Sequence, residues 1–496
     1  MAAKLYDHQS SDLSIVLERV ERYRQNYNLL YQLPTGGGKT MIFSELARRY
    51  IEQFGKKVVV LTHRKELSRQ TSATLKKAGV SNMLVNTIVK KISRKNSYQC
   101  YVAMVETLKN RIRSGHFSTL GIGLVIIDEA HNNSFRKLLG FFEDAFVVGV
   151  TATPLSSDIT QPMNEYYNEL IIGKDIGSLI REGFLAKPTA WRYDVELNTL
   201  KTGIHGDYTV ATSDELYSSP AMLDLLLRAY ETHSKNKKTL IFNTGIFTSK
   251  RVREKFREAG YVVRHLDNKT PAEERKEILA WFRRTRGAIL TSVSILTTGF
   301  DEPTVQSVIL NRATTSLTLY HQMIGRGSRR LPSKKTFTII DLGNNTDRFG
   351  PWEEPLDWQY IFDKPEEYYR MMCSRGVSES HSMPSDLRSK FPNSLEIAFD
   401  VDEEYRKALA NEEKPKSVIN ESIRQHAFMC MENSQTISEA LALAKELDKE
   451  IDWRIKQYAK CHGNTTKNYR EWLGEDYRQR LQTLIKKVMP KRALAA

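Results

Sequence analysis

Leu33-Pro34-Thr35-Gly36-Gly37-Gly38-Lys39-Thr40 follows an apolar run, Leu29 to Leu33, and precedes an amphipathic stretch, Met41 to Phe54. Strand, glycine-rich loop and helix in that order form a junction that receives phosphate groups. Glycine lets successive N–H groups converge on phosphate oxygens, and the helix N-terminus adds partial positive charge. In this pattern Pro34, Thr35, Gly36, Gly37 and Gly38 form the cradle of an ATP site. Lys39 reaches the β- and γ-phosphates, and the Thr40 hydroxyl binds Mg2+. Leu33 stands where the strict G-x-x-x-x-G-K-T pattern has its first glycine, so a plain strand–turn–helix with a surface lysine is the alternative.

A second stretch removes much of that ambiguity. Leu124-Val-Ile-Ile-Asp128-Glu129 reads as a buried strand ending in two carboxylates at the carboxyl edge of a parallel sheet, where such folds bind ligands. Asp128 is the candidate Mg2+ ligand, and Glu129 the candidate to orient and deprotonate the attacking water. Far downstream, Gln322-Met-Ile-Gly-Arg326-Gly-Ser-Arg329 completes the set. On a predicted helix Arg326 and Arg329 share a face. Guanidinium groups neutralise charge developing on a γ-phosphate, a role worth ~10^3 or more in rate. Gly325 and Gly327 argue against a merely basic surface helix, since both weaken one. The acidic pair and the arginines lie on separate stretches, so the ATP site is expected to be shared by two lobes.

Short apolar runs alternate with helical patterns along the first 350 residues, the signature of parallel strands joined by crossover helices. The expected fold class is α/β: two parallel-sheet lobes in tandem with a mainly helical C-terminal module. The lobes are placed at 1–190 and 222–350, joined by a turn-rich connection at 191–221, with the accessory module at 351–496. Ser380 to Pro392 reads as a loop, and helical periodicity returns over Ile437 to Tyr458 and Tyr469 to Val488.

The 496 residues carry 74 Lys+Arg against 59 Asp+Glu. That excess is uneven: residues 1–350 hold 51 basic against 34 acidic side chains, and residues 351–496 hold 23 against 25. A polyanionic partner for the first part follows. Lys90, Lys91, Arg94, Lys95 and Arg111 to Arg113, with Tyr98 and Tyr101 between them, are candidate phosphate and base contacts or a solvated face. Cys100, Cys373, Cys430 and Cys461 form no Cys-x-x-Cys pair, which speaks against a disulfide framework or a zinc module. No stretch is apolar enough to span a membrane and no signal core is visible, so a cytoplasmic location is expected.

With Asp128-Glu-Ala-His131 as its signature, the chain resembles a superfamily 2 helicase of the DEAH type over about residues 5–343, which implies that the two parallel-sheet lobes are RecA-like. Leu61-Thr-His-Arg64, Thr151-Ala-Thr153-Pro154 and Thr297-Thr298-Gly299-Phe-Asp301 fit further family motifs. The resemblance implies that Arg64 lies near the nucleic-acid backbone and that Thr151 and Thr153 couple hydrolysis to strand binding. It implies that Thr298, Gly299 and Asp301 contact nucleotide and nucleic acid, and that Gln9 reads adenine. Within the superfamily the chain looks most like bacterial RadD-like DNA-repair helicases and the motor subunits of restriction systems. It lacks the cysteine-rich cluster of the former and the length of the latter. The implied activity is an ATP-dependent DNA helicase or translocase, using ATP and Mg2+ on single-stranded, duplex or branched DNA. Alternatives are a nucleic-acid-gated ATPase switch recruiting a protein through the C-terminal module, with Trp453, Tyr458 and Trp472 as candidate contacts, and an RNA helicase.

Overall fold

The computed structural model describes residues 5–86, 92, 97–156, 158, 160–203, 206–293, 295–296, 300–375, 387, 390–394, 399, 401–410, 413–462 and 465–492. Two compact units make up the chain, Met1–Cys373 and Ser374–Ala496.

The first unit opens with α1 (Asp7–Tyr23). Its first sheet comprises β1 (Asn28–Gln32), β2 (Lys57–Thr62), β3 (Asn82–Val85), β4 (Cys100–Met104), β5 (Ile122–Asp128), β6 (Phe146–Thr151) and β7 (Glu169–Ile172). The spatial order is β3-β4-β2-β5-β6-β1-β7, with every neighbouring pair parallel. Successive side chains point to opposite faces, so Val58 and Val60 join one apolar cluster while Val59 and Leu61 join the other. Both faces are therefore covered, and a continuous apolar run such as Leu124 to Ile127 is what each central strand requires. The order has one consequence for chemistry: β5, β6 and β1 are adjacent, so the residues after Asp128, Thr151 and Gln32 emerge side by side.

The second sheet contains β8 (Lys187–Arg192), β9 (Thr239–Asn243), β10 (Val263–Leu266), β11 (Ile289–Val293), β12 (Ser307–Asn311) and β13 (Thr336–Asp341). Its order is β10-β11-β9-β12-β13-β8, again all parallel. β8 straddles the expected boundary at 190/191. Its register with β13, Lys187 opposite Thr336 through Arg192 opposite Asp341, assigns it to the second sheet. The connection placed at 191–221 carries structure of its own, a Thr202–Tyr208 bridge and α7 (Val210–Tyr217). Ser219 then caps α8 (Pro220–His233), with Pro220 at the first turn, where its missing N–H costs nothing.

Beyond β13 the chain continues through α12 (Asn345–Phe349), α13 (Trp358–Asp363) and α14 (Pro365–Arg375). Trp352, Trp358, Ile361, Phe362 and Tyr368 are buried in the large core of the first unit, so the stretch after residue 350 packs with the two sheet lobes as far as Cys373. α13 also contacts β7, and the Asn164 amide donates to the Asp363 carbonyl at 3.1 Å.

The second unit is helical: Val401–Ala410, Lys416–Glu432, Ile437–Glu446, Asp448–His462 and Lys467–Arg492. The expected single stretch Ile437 to Tyr458 is two helices, the first opened by a Thr436–Glu439 capping box. Most of Ser380 to Pro392 lies outside the described residues. A buried polar network crosses this unit's core: Arg454 pairs with Glu450 at 2.9 Å and donates to Ser422, which bonds Tyr477, itself bonded to His426. Tyr458 is buried, while Trp472 is about half exposed, with the Lys416 ammonium 5.3 Å from its ring centre.

Candidate nucleotide and nucleic-acid site

The loop between β1 and α2 (Lys39–Phe54) holds Gly36 at φ +95° and Gly38 at φ +93°, a conformation that L side chains rarely adopt. Among the described residues, the backbone N–H groups of Gly36, Gly38, Lys39 and Thr40 donate to no acceptor. Four open amides at the start of a 16-residue helix are a cradle for phosphate. Leu33, at the departure from the strict pattern, is fully buried and packs under Gly37, where even a Cβ would lie 2.7 Å from its side chain. The departure thus fills the floor of the loop and leaves its amides open. Lys39 folds back to donate to the Leu33 carbonyl at 3.1 Å. Desolvation pulls its pKa down against the pull of Glu129 and Asp128.

Asp128 closes β5, and Glu129 follows at φ +55°, a backbone strain of order 1 kcal/mol that turns its carboxylate back toward the loop. The two buried acids diverge. Desolvation and then its acidic neighbour push Asp128 up. For Glu129 desolvation acts in the same direction, but Lys39, His131, Arg326 and His63 outweigh it and hold the group below the ordinary range. Glu129 is the ionised member, and its Oε2 is buried without a hydrogen bond, 3.5 Å from His131 Nδ1. These features fit a triphosphate with Mg2+: open amides and Lys39 for phosphate oxygens, Thr40 and Asp128 for the metal, and an unsatisfied carboxylate oxygen for a water.

Second-lobe groups reach the same loop. α11 (Leu317–Ile324) ends at Gly325, so Arg326 and Arg329 leave the helix that was expected to carry them. Gly325 packs against Thr35, and a Cβ on Gly36 would meet Ser328 Oγ at 3.2 Å and the Arg329 guanidinium at 3.4 Å. Arg326 donates to the Phe300 carbonyl at 2.7 Å, and Arg329 pairs with Asp301 at 3.1 Å. Burial lowers the Arg326 pKa to about 10, so it remains a cation at neutral pH.

A hydrogen-bond circuit spans the cleft beside Glu129. Gln322 Nε2 donates to His131 Nε2 at 3.3 Å, and His131 Nδ1 meets Thr151 Oγ1 at 3.1 Å. Thr151 Oγ1 donates to the Thr153 carbonyl, which leaves it the acceptor for His131 Nδ1–H and fixes the neutral tautomer. Burial, which lowers the His131 pKa, agrees. Thr153 Oγ1 donates to Thr318 Oγ1 at 3.0 Å, back on the second lobe. Thr151 and Thr153, expected to couple hydrolysis to strand binding, are thus buried and hydrogen-bonded inside the protein.

Arg64 donates across the cleft to the Ile295 carbonyl at 3.1 Å, and Arg275 lies 3.6 Å from Glu66. Tyr101, grouped with the basic stretch as a stacking candidate, is a buried β4 residue against Phe117, whereas Tyr98 is exposed. Thr298, Gly299, Lys90, Lys91, Arg94 and Lys95 lie outside the described residues. Gln9 is tied into the phosphate loop: its Nε2 donates to the Gly37 carbonyl at 2.9 Å, and its Oε1 accepts from Tyr6 N at 3.0 Å. A cavity of about 530 Å³ lies there, lined by Gln9 and the three glycines together with Tyr6, His8, Phe184 and Arg330. Those last four carry no motif. Their signal was only proximity to Gln9 and Arg329.

Residues 2–156 match the family described as Type III restriction enzyme, res subunit, and residues 220–330 match the helicase conserved C-terminal domain. The chain is an ATP-dependent helicase-family protein of superfamily 2. This helicase-family chain is 28% identical over 390 residues to a 51.5 kDa protein of a Lactococcus phage, covering 76% of this chain and 80% of that one. It is 28% identical over 369 residues to IRC3 of Saccharomyces cerevisiae, described as an ATP-dependent helicase, covering 69% of this chain and 52% of the yeast protein. In fold it resembles a fragment of an HsdR-type subunit of a type I restriction enzyme from Vibrio vulnificus YJ016. The TM-score is 0.56 with 23% identity, over 70% of this chain and 66% of the other. Nucleic-acid-dependent ATP hydrolysis is the activity that such helicase domains carry. Among the described residues, no helix is long and apolar enough to cross a membrane.

Proposed function

We propose that the protein is a DNA translocase or helicase that opens and closes its two lobes around ATP. The observation that carries this reading is the meeting of an open phosphate cradle and an ionised, unsatisfied Glu129 on one lobe with the Arg326–Arg329 segment on the other. In this reading Pro34 to Thr40 hold the phosphates, and Gln9 reads the base. Thr40 and Asp128 hold Mg2+, which neutralises phosphate charge. Glu129 orients and deprotonates the attacking water, and Arg326 and Arg329 balance the charge that develops on the γ-phosphate. Gln322 senses the state of Glu129 through His131, and the Thr151–Thr153–Thr318 circuit returns that state to the second lobe. Arg64 and Thr298 serve the nucleic acid, and Gly299 and Asp301 the nucleotide.

DNA is favoured over RNA by the restriction-enzyme descriptions of the matched family and of the HsdR-type neighbour. The basic surplus of residues 1–350 suits either polyanion. The test is steady-state ATP hydrolysis at fixed low salt with no cofactor, single-stranded, duplex and branched DNA, and matched RNA. Stimulation by DNA supports the proposal, and stimulation chiefly by RNA overturns the choice of polymer.

A further inference from the structure

Arg326 and Arg329 lie beyond the end of α11, so no regular helix fixes the backbone that carries them. That backbone is held at Gly327, between the two arginines. The Gly327 N–H donates to the Ile324 carbonyl at 2.9 Å, and a Cβ on this residue would overlap Phe337 of β13. The Gly327 carbonyl accepts from Lys334 Nζ at 2.8 Å, and the same nitrogen donates to the Val305 carbonyl at 2.7 Å. Among the described residues, no backbone N–H donates to either carbonyl. Lys334 is itself anchored in a tight turn, its N–H on the Leu331 carbonyl at 2.9 Å and its carbonyl on the Leu331 N–H at 3.1 Å.

A lysine is an unfavourable choice here for stability alone. Lys334 is 5% exposed, and desolvation, then the Arg329 charge, push its pKa down to about 7 against the pull of Glu302. Glu302 lies 4.0 Å from Lys238 and 3.7 Å from Arg283, so its charge is shared with other cations. Either form of the Lys334 amine has N–H groups for both carbonyls, and the charged form makes the stronger bonds. Three side chains tie the Phe300 to Val305 stretch to the arginine segment: Arg326 on the Phe300 carbonyl, Arg329 on Asp301, and Lys334 on the Val305 carbonyl. Lys334 adds a bond to the backbone between the arginines, and thereby sets where both guanidinium groups start.

We infer that Lys334 is the positioning residue of the second-lobe arginines: its buried side chain holds the Gly327 carbonyl, and with it the backbone from which Arg326 and Arg329 reach the γ-phosphate. The inference rests on the two-lobe ATP-site reading above and deepens it. Lys334 acts through the arginines, so its loss should slow hydrolysis and spare nucleotide binding.

The test measures ATP affinity, by competition with a fluorescent ATP analogue, and single-turnover ATP hydrolysis with single-stranded DNA present. Proteins are the full chain and its Lys334→Met, Arg326→Gln and doubly substituted forms, each checked by thermal melting. Lys334→Met keeps the side chain's length while deleting its N–H groups. Its hydrolysis rate is expected to fall about 10- to 100-fold, the scale of a misplaced catalytic group, with ATP affinity within about threefold of the parent. In the Arg326→Gln background the same change should cost several-fold less than it does alone, because two groups that act as a unit do not lose independently. Equal losses in both backgrounds overturn the inference, as does an unchanged rate or a loss confined to ATP affinity. Should Lys334→Met not fold, Lys334→Gln, which keeps a donor for one carbonyl, carries the same comparison. An Arg326→Gln protein that hydrolyses ATP at the parental rate removes the two-lobe reading and this inference with it, whereas a failure at Lys334 alone leaves that reading standing.

Discussion

Two strand-to-helix junctions, one after β1 between β6 and β7 in the first sheet and one after β9 in the middle of the second, end differently. In the first lobe, β1 runs into α2 through Gly36 and Gly38, and four amides at the helix start have no acceptor. In the second lobe, β9 runs through Thr244 and Gly245 into α9 (Ile246–Glu258). There the Asp214 carboxylate, brought in by α7, accepts from Thr248 N at 3.2 Å and from Thr248 Oγ1 at 2.6 Å. A Cβ on Gly245 would collide with that carboxylate. One sheet leaves its anion position open, and the other fills it from its own chain. A strand running into a helix therefore does not by itself make a site. The loop decides, and the second lobe contributes charge through side chains instead.

Lys39→Ala should produce the largest change, a loss of about 10^2-fold or more in ATP hydrolysis without a change in melting temperature, because it removes the cation that reaches the β- and γ-phosphates. Retained hydrolysis would erase the contrast between the junctions. Gly38→Ala should come next. The φ of +93° costs an L residue about 1–2 kcal/mol, and the new methyl meets the Gln9 amide. Nucleotide affinity is expected to drop about tenfold in a binding titration. Asp214→Ala should have the smallest effect, a stability loss of about 1 kcal/mol from an uncapped helix, read in denaturant melts, with ATP affinity unaltered. A change in ATP affinity would mean that the second junction takes part in nucleotide binding after all.

The parts of the fold that follow from local pattern were legible. Buried runs such as Leu124 to Ile127 and the start of α2 at Lys39 appear where the sequence puts them, since a strand covered on both faces must be apolar throughout. β4 was less visible, because Cys100 and Met104 flank a mixed run. β8 contains Pro188 and mostly exposed side chains, and only its long-range register with β13 reveals its sheet. At the site, glycines and paired acids announce themselves because the chemistry restricts residue type. Arg326 and Arg329 were found as a pair, but their helix stops at Gly325, where contact with Thr35 leaves no room for a side chain. Thr151 and Thr153 keep the motif spacing while their hydroxyls face inward, which spacing alone does not encode. Tyr6, His8, Phe184 and Arg330 come together beside the phosphate loop only through tertiary proximity.

The central claim is that one nucleotide site is shared by two lobes. It is tested most directly by measuring ATP affinity and single-turnover hydrolysis in Arg326→Gln, with folding checked by thermal melting. The account expects affinity within about threefold of the parent and a hydrolysis rate lower by ~10^3, because the cradle is intact and only transition-state charge is left unbalanced. An unchanged hydrolysis rate in a folded protein would contradict it.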